Sequence, residues 1–182
     1  MAGYKQQSTI DEVKMADGWL LGYAQVGSSV NFDLVRSLTA DVENLNPETE
    51  DRQYTYQSSP ISVLKQYKPT MDYDTPRATS GQDRFNDKIL TVHMDRETLD
   101  TNRTLKLLRV NPDEEGTELN SFLGYVADWV ANPSTTGGEA SGSKRMTGTL
   151  NEVPDSRIKG SVIWDESTPG AERWEFTADS ES

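Results

Sequence analysis

The C-terminal third of the chain alternates between apolar and polar positions with the two-residue period of β-strands. In residues 146–150 (MTGTL) and 158–164 (IKGSVIW), apolar or small side chains share one face and polar side chains share the other, which is typical of strands with one face in water. A third short strand at 173–177 (RWEFT) would bury Trp174 and Phe176 on one side. The pattern predicts a small sheet that carries no evident reactive group.

Three earlier segments also favour strands. Residues 19–26 (WLLGYAQV) are rich in apolar side chains, and residues 105–110 (LKLLRV) end at the turn-forming pair Asn111–Pro112. Residues 30–38 have a mixed period, because Val35 interrupts the alternation. We therefore predict further strands in the first and middle parts of the chain.

Residues 63–74 predict a strand with two distinct faces. Pro69 lies inside it and cannot donate a ladder hydrogen bond, so the strand is expected at a sheet edge or with a bulge. One face carries Val63, Tyr67, Met71 and Tyr73, and the other carries Gln66, Lys68, Thr70, Asp72 and Asp74. The second face is expected to be wet.

One helix is predicted over residues 81–93, where Phe85, Ile89 and Val92 recur at helical spacing. Residues 117–132 fit two structures equally well by local pattern. Their apolar residues form a helical stripe, whereas the aromatic and β-branched residues, together with Gly124, favour a strand.

Two segments are poor in apolar residues. Residues 1–16 are typical of an extended arm, and residues 39–60 form an acidic connection that is unusually long for a compact domain. A disordered loop and a loop ordered by a partner explain residues 39–60 about equally well. Tyr54 and Tyr56 favour ordering by a partner.

Composition and charge narrow the function. A chain of 182 residues fits one domain, and its hydrophobic fraction of 34% indicates a modest core or a fold completed by neighbours. The net charge of −12 argues against a free nucleic-acid-binding protein, which relies on Lys and Arg to release counterions. No apolar run approaches the roughly 20 residues that cross a bilayer, and the N-terminus lacks the apolar core of a signal peptide, so no membrane partner is expected.

The sequence offers few groups for catalysis. It has no cysteine, and its one histidine, His93, has no nucleophile beside it, so a structural role is expected. Pairs of acidic residues lie next to turns or on polar strand faces, where solvated charge is the simpler explanation. The Gly-rich segment 137–144 lacks the Gly-Lys-Ser/Thr order of a phosphate-binding loop. We predict no catalytic residue, no metal site and no cofactor, and hence no enzyme.

Taken in order, several stretches resemble the major tail tube protein of long-tailed bacteriophages (the siphophage type). Residues 67–74 (YKPTMDYD), 86–90 (NDKIL) and 104–110 (TLKLLRV) resemble the strand, helix and strand of that family's core. Residues 121–130 (SFLGYVADWV) resemble its next long strand, so the resemblance assigns the ambiguous segment to a strand. The Gly-rich loop and the strands after it resemble the closing hairpin, and the whole resemblance covers residues 17–177.

The resemblance implies a mainly β fold, in which a β-sandwich or barrel-like tail tube domain (17–177) has one flanking α-helix. An extended N-terminal arm (1–16), a long early inter-ring loop (39–60) and a short acidic C-terminal tail (178–182) complete the division. Copies of the chain would form rings, usually of six, whose inner sheets join into one barrel around the tail channel. Joining sheet edges between copies would also explain the modest core, because it removes exposed edges.

The resemblance further implies that the main partner is the chain itself, with other tail proteins such as the tape measure and terminator proteins. The location is the virion tail, assembled in the host bacterial cytoplasm. Candidate inter-ring contacts from the arm and the loop are Tyr4, Ile10, Val13, Leu45, Tyr54 and Tyr56.

DNA would pass through the lumen without specific binding, since an acidic lining repels phosphate over a Debye length of about 8 Å. Asp72 and Asp74 are the candidate lumen-facing acids. Lys68 on the same face weakens this hypothesis, and an outward, solvated face is the alternative.

Three rival functions remain open. The first is another phage structural part, either a tail terminator or a capsid decoration protein. The second is a soluble acidic domain that binds a cellular protein through residues 39–60. A hydrolase that uses scattered acids ranks last.

Overall fold

The computed structural model describes residues 20–24, 31–35, 40–56, 58–76, 84–96, 99–115, 121–137, 145–165 and 173–179. This part of the chain is mainly β, with eleven strands and two helices. In chain order they are β1 Leu20–Ala24, β2 Asn31–Leu34, β3 Ala40–Asn44, β4 Pro47–Arg52, β5 Ile61–Tyr67, β6 Thr70–Pro76, α1 Arg84–Asp95, α2 Asp100–Arg103, β7 Thr104–Glu115, β8 Ser121–Gly137, β9 Arg145–Glu152, β10 Ile158–Asp165 and β11 Arg173–Ala178.

Six strands close into a barrel. Each strand pairs antiparallel with the next in the order β10, β11, β2, β1, β7 and β8, and β8 pairs again with β10. The barrel core is apolar and strongly aromatic, and it consists of Phe32, Leu108, Val110, Val126, Val162, Trp164, Trp174 and Phe176. Closure leaves these strands without an open edge along the paired region.

The rest of the main sheet is open and covered by a helix. Beyond the barrel, β8 pairs with β9, β9 with β6, and β6 with β3. Helix α1 buries Phe85, Ile89 and Val92 against this sheet. Together they form a second core with Tyr23, Met71, Tyr73, Leu105, Leu107, Tyr125, Ala127, Trp129, Ala131, Met146 and Leu150.

Strands β7 and β8 contribute to both cores, because their successive side chains point to opposite faces of the sheet. Leu108 and Val110 point into the barrel, whereas Leu105 and Leu107 belong to the core under α1. Both faces in the middle of these strands are therefore largely buried, which explains why four of the six residues at 105–110 are apolar.

At two glycines, neighbouring backbone carbonyls and aromatic side chains pack directly against the chain. A Cβ at Gly148 would lie 2.4 Å from the Tyr73 hydroxyl oxygen and from the Asn132 carbonyl oxygen. A Cβ at Gly160 would lie 2.1 Å from the Thr177 carbonyl oxygen. These positions therefore exclude any side chain, because such contacts are shorter than real Cβ atoms tolerate.

The predicted fold class, a mainly β barrel-like fold with a flanking helix, is confirmed. The ambiguous segment 117–132 contributes a strand, β8, as the resemblance implied. Helix α1 buries the predicted stripe, and β11 buries Trp174 and Phe176. The strands predicted at 146–150 and 158–164 are β9 and β10.

Three boundaries differ from the sequence-based expectations. β7 continues past Asn111–Pro112, so that pair does not end the strand. The strand predicted over 63–74 is broken at Lys68–Pro69 into β5 and β6. The predicted long loop 39–60 contains β3 and β4, so the connections between its strands are the short Leu45–Asn46 and the tip at residues 53–60.

Two parts of the predicted division lie wholly or largely outside the described residues. The predicted arm, residues 1–16, is among them, together with its candidate contacts Tyr4, Ile10 and Val13. Of the predicted tail, Ala178 still belongs to β11. The division into arm, domain and tail stays a prediction.

Candidate assembly surfaces

The pair β4–β5 forms its own two-stranded sheet, which we call the hairpin (residues 47–67). It exposes large apolar side chains more densely than the strands of the body, where Leu123, Ile158 and Ile163 are partly exposed. Tyr54 and Tyr56 at its tip are 42% and 81% exposed, and their rings stack with centroids 5.9 Å apart. Ile61, Leu64 and Tyr67 on β5 are also exposed.

The charged side chains of the hairpin largely satisfy one another. Glu48 accepts a hydrogen bond from Gln66 at 2.5 Å and pairs with Lys68 at 3.0 Å across the strands. These two hydrogen bonds, the Gln66 one foremost, lower the pKa of Glu48 below its ordinary value. Glu50 pairs with Arg52 along β4. The surface of the hairpin that has no partner within the hairpin is therefore mainly apolar.

A buried ionic cluster fastens edge strand β3 to the barrel wall. The Glu43 carboxylate on β3 accepts hydrogen bonds from Arg109 on β7, from Tyr125 Oη on β8 at 2.6 Å, and from Arg157 at 2.8 Å. Arg157 also donates to Glu152 and lies 4.0 Å from the centre of the Tyr125 ring. Two carboxylates face two guanidinium groups, so the cluster is balanced in charge.

Electrostatics inside the cluster keep Glu43 ionised. Burial acts to raise the pKa of Glu43, but hydrogen bonds from Tyr125 and Arg157 and the positive charges of Arg109 and Arg157 outweigh it, so the pKa is lowered. Burial raises the pKa of Tyr125 well above its ordinary value, so its hydroxyl remains a donor. Sequence reasoning missed this cluster, because its members lie 66 to 114 residues from Glu43 along the chain.

The candidate lumen-facing acids lie on the exposed face of the open sheet. Asp72 is exposed and accepts a hydrogen bond from Thr149 at 3.2 Å. Asp74 is half-buried and pairs with Arg145 Nε at 2.6 Å, so its charge is compensated. By register, the same face continues with Thr147, Thr149, Asn151 and Asn132. Whether this polar face lines a channel stays a prediction.

The open sheet has two strand edges in the described part of the chain. β3 pairs there with β6 alone. At the other side, the pairing of β8 with β7 ends at Val130, and residues 131–137 pair only with β9 among the described strands. Arg103 Nη1 already donates to Ala131 O at 3.3 Å, so the part of the second edge that can accept a strand from another chain begins after Ala131. The β3 edge can accept one as well.

The one histidine joins the end of α1 to two strands. His93 Nε2 lies 2.9 Å from the Tyr73 hydroxyl on β6, and Nδ1 lies 2.6 Å from the Thr136 hydroxyl on β8. Burial lowers the pKa of His93, so the ring is neutral at neutral pH. These contacts include two hydroxyl groups but no carboxylate that would orient the ring, and they tie the end of α1 to β6 and β8.

Within the described ranges, no three His, Cys, Asp or Glu side chains come close enough together to hold a metal ion. Neither α1 nor α2 is long and apolar enough to span a membrane. Of the candidate inter-ring residues that can be located, Leu45, Tyr54 and Tyr56 are all exposed on or beside the hairpin. Their role in contacts between rings is not tested by a single chain.

No protein-family model and no curated protein sequence matches the chain significantly. Its fold, however, is similar to solved virion components. A chain in the virion of a native gene transfer agent particle matches with a TM-score of 0.52 at 11% identity, over 89% of this chain and 97% of that one. A chain in the tail of an empty gene transfer agent particle, with C6 symmetry, matches with a TM-score of 0.52 at 12% identity, over 74% and 90%. At this identity the likeness establishes a shared fold.

Proposed function

We propose that this chain is a structural protein of a virion tail, whose copies form stacked rings of six that build a tube for the passage of DNA. The fold it shares with chains of a gene transfer agent virion and of a C6-symmetric tail supports this assignment. The observation that carries the proposal is the hairpin, which exposes apolar side chains that one copy leaves uncovered. The function is non-enzymatic.

The hairpin needs a partner on energetic grounds. A two-stranded hairpin without further packing is marginally stable in water. Fully burying a leucine or isoleucine side chain contributes about 1.5–3 kcal/mol, and Ile61 and Leu64, which are 42% and 47% exposed, can still gain roughly half of that each. Ile61, Leu64 and the stacked tip tyrosines therefore favour a second protein surface. In a stacked tube, that surface belongs to a copy in the next ring.

Strand directions in the open sheet suit lateral joining. The four strands β3, β6, β9 and β8 alternate in direction, because each neighbouring pair is antiparallel. The β3 edge of one copy can thus meet residues 132–137 of the next copy in antiparallel orientation, and the alternation continues around a closed ring. Pro133 cannot donate to such a ladder, and proline is tolerated at edge strands. The joint therefore rests on the remaining residues of that edge.

The polar face of the open sheet suits a DNA channel. Its side chains are short and mostly neutral, and Arg145 on it is paired with Asp74. DNA carries one negative charge per about 1.7 Å of axis, so a lining rich in free Lys and Arg would hold it at many points. With Asp72 exposed and Arg145 compensated, this face offers phosphate little attraction.

Electron microscopy of the purified protein tests the proposal. Wild-type protein at high concentration should form stacked tubes. Leu64→Ser, on the hairpin, should abolish them, because it replaces exposed apolar contact surface with a hydroxyl. Leu99→Ser is the matched control, because Leu99 is similarly exposed but lies before α2.

The outcomes separate the rival functions. Isolated rings from wild-type protein would favour a terminator or decoration protein. A monomer at every concentration, with a hairpin that captures a host protein, would favour the soluble acidic domain. Tubes that tolerate Leu64→Ser as well as Leu99→Ser would contradict the role given to the hairpin.

A further inference from the structure

The two strands of the hairpin are interrupted opposite each other, at the boundary between the hairpin and the body. On one side β3 gives way to β4 at Leu45–Asn46, and on the other β5 gives way to β6 at Lys68–Pro69. We call these four residues the elbow. Beyond it the hairpin is a separate two-stranded sheet. The elbow is therefore the point at which the angle between hairpin and body is set.

The side chain of Asn46 ties the elbow together. Its Nδ2 lies within hydrogen-bonding distance of Thr70 Oγ1 at 2.8 Å and Asn44 O at 3.3 Å, both on the body side, and of Lys68 O at 3.2 Å on the opposite strand. Its backbone has φ of 44°, in the left-handed region that Asn tolerates better than most residues. One amide thus links both strands at their break.

Backbone bonding across the elbow is sparse by comparison. Lys68 N donates to Leu45 O and Asn46 O, each at 3.2 Å, so one donor is shared between two acceptors. Pro69 has no backbone N–H to add. The Asn46 amide therefore supplies much of the directional bonding at this level.

An open groove beside the elbow leaves space for the hairpin to move, whereas strand β3 on the body side is fixed. Three residues before Asn46, Glu43 is fixed in the ionic cluster. An open groove of about 940 Å³ lies beside the elbow, lined by Tyr67 and Lys68 on one side and by the turn 153–155 on the other. A change of angle at the elbow would not have to displace packed side chains from this groove.

We infer that Asn46 is a positioning residue that sets the direction of the hairpin relative to the barrel. Its consequence for assembly rests on the proposed function, because a stacked ring requires every hairpin to meet the next ring at one angle. The mechanical claim concerns one chain and holds independently of assembly.

Two substitutions separate the amide from the backbone conformation. Asn46→Gly keeps the left-handed conformation accessible and removes the side chain. Asn46→Asp also tolerates that conformation and keeps the size, but its carboxylate cannot donate to Lys68 O or Asn44 O. Arg96→Gly is the control, because Arg96 has φ of 50° just after α1 and belongs neither to the elbow nor to the lining of the groove beside it.

The measurement is the distance from hairpin to barrel in the dilute, monomeric protein. The chain has no cysteine, so spin labels can be placed cleanly at Thr55→Cys on the tip and Thr177→Cys on β11, both exposed positions. Asn46→Gly and Asn46→Asp should broaden or shift the distance distribution, and amide exchange in residues 47–67 should speed up by about tenfold. Arg96→Gly should change neither.

The results decide the inference in both directions. Wild-type distance distributions and wild-type exchange in both Asn46 variants would overturn it. If the variants loosen the hairpin but wild-type protein forms no tubes, the positioning role stands and the proposed function fails. If wild-type protein forms tubes and both variants form tubes of unchanged geometry, the angle set by Asn46 does not govern stacking and its link to assembly is refuted.

Discussion

The barrel body and the hairpin are both antiparallel β-structure, yet they bury their apolar side chains to different extents. Leu107 in β7 is fully buried, whereas Leu64 in β5 is 47% exposed. The body buries most of its large apolar side chains within one copy, through barrel closure and helix α1, although Leu123, Ile158 and Ile163 are among those left partly exposed. The hairpin has no second layer within its own two-stranded sheet. The difference teaches that buried packing is concentrated in the body, whereas exposed apolar surface is densest on the hairpin.

The largest expected effect comes from Leu107→Ala. Removing a fully buried leucine side chain from the core under α1 should lower the free energy of unfolding by about 2–5 kcal/mol, because it loses apolar burial and leaves a cavity. Thermal or urea unfolding of the monomer measures the change. A loss below about 1 kcal/mol would show that the core under α1 is looser than its burial indicates.

Glu43→Ala should have the next largest effect. It removes the carboxylate that balances Arg109, whose side chain is 4% exposed, so a loss of about 2–4 kcal/mol is expected. Glu50→Ala is the matched control on the hairpin, where the exposed pair with Arg52 should contribute less than about 1 kcal/mol. If the two variants lowered the free energy of unfolding equally, the ionic contacts of the body would be no more stabilising than those of the hairpin.

The Glu43 cluster also predicts a dependence on pH. Because the folded-state pKa of Glu43 is lowered from its ordinary value of 4.5, its stabilising contribution is complete above that pH and disappears as the pH falls through the folded-state pKa. Glu43→Gln should therefore flatten the loss of stability below pH 4.5, measured by chemical unfolding at several pH values. A curve parallel to that of the wild type would contradict this assignment.

The smallest effect is expected from Leu64→Ala on the hairpin. It removes the same atoms as Leu107→Ala, but from an exposed position, so the free energy of unfolding of the monomer should change by no more than about 0.5 kcal/mol. The comparison would break if this variant destabilised the monomer as strongly as the core variant. In that case the hairpin would be covered by the chain's own residues in solution.

The local sequence pattern predicts the elements that bury only one face, because their apolar residues then recur with the period of a helix or a strand. Helix α1 has one buried stripe, and β9 alternates strictly between its faces, so both followed from spacing alone. β8 was ambiguous because its two faces serve different cores: Val126 points into the barrel and Trp129 into the core under α1. Such a strand is apolar on both sides and loses its two-residue signature.

The candidate assembly surfaces are predictable from the sequence only in part. Tyr54 and Tyr56 were singled out because aromatic side chains are unusual in an acidic, polar segment, and both are exposed. The strands β3 and β4 were missed because their acidic residues have low strand propensity and their pairing partners lie beyond the tip. The Asn46 elbow and the Glu43 cluster depend on contacts between distant residues, which no local pattern records.

The length of β8 has a mechanical consequence. At about 3.3 Å per residue, a strand of 17 residues extends roughly 55 Å, and the same covalent backbone belongs to the closed barrel at one end and to the open sheet at the other. A pull applied to either end is thus carried along the polypeptide itself and through shear on many ladder bonds at once. Separating the barrel from the open sheet by force would therefore require many of these hydrogen bonds to break together.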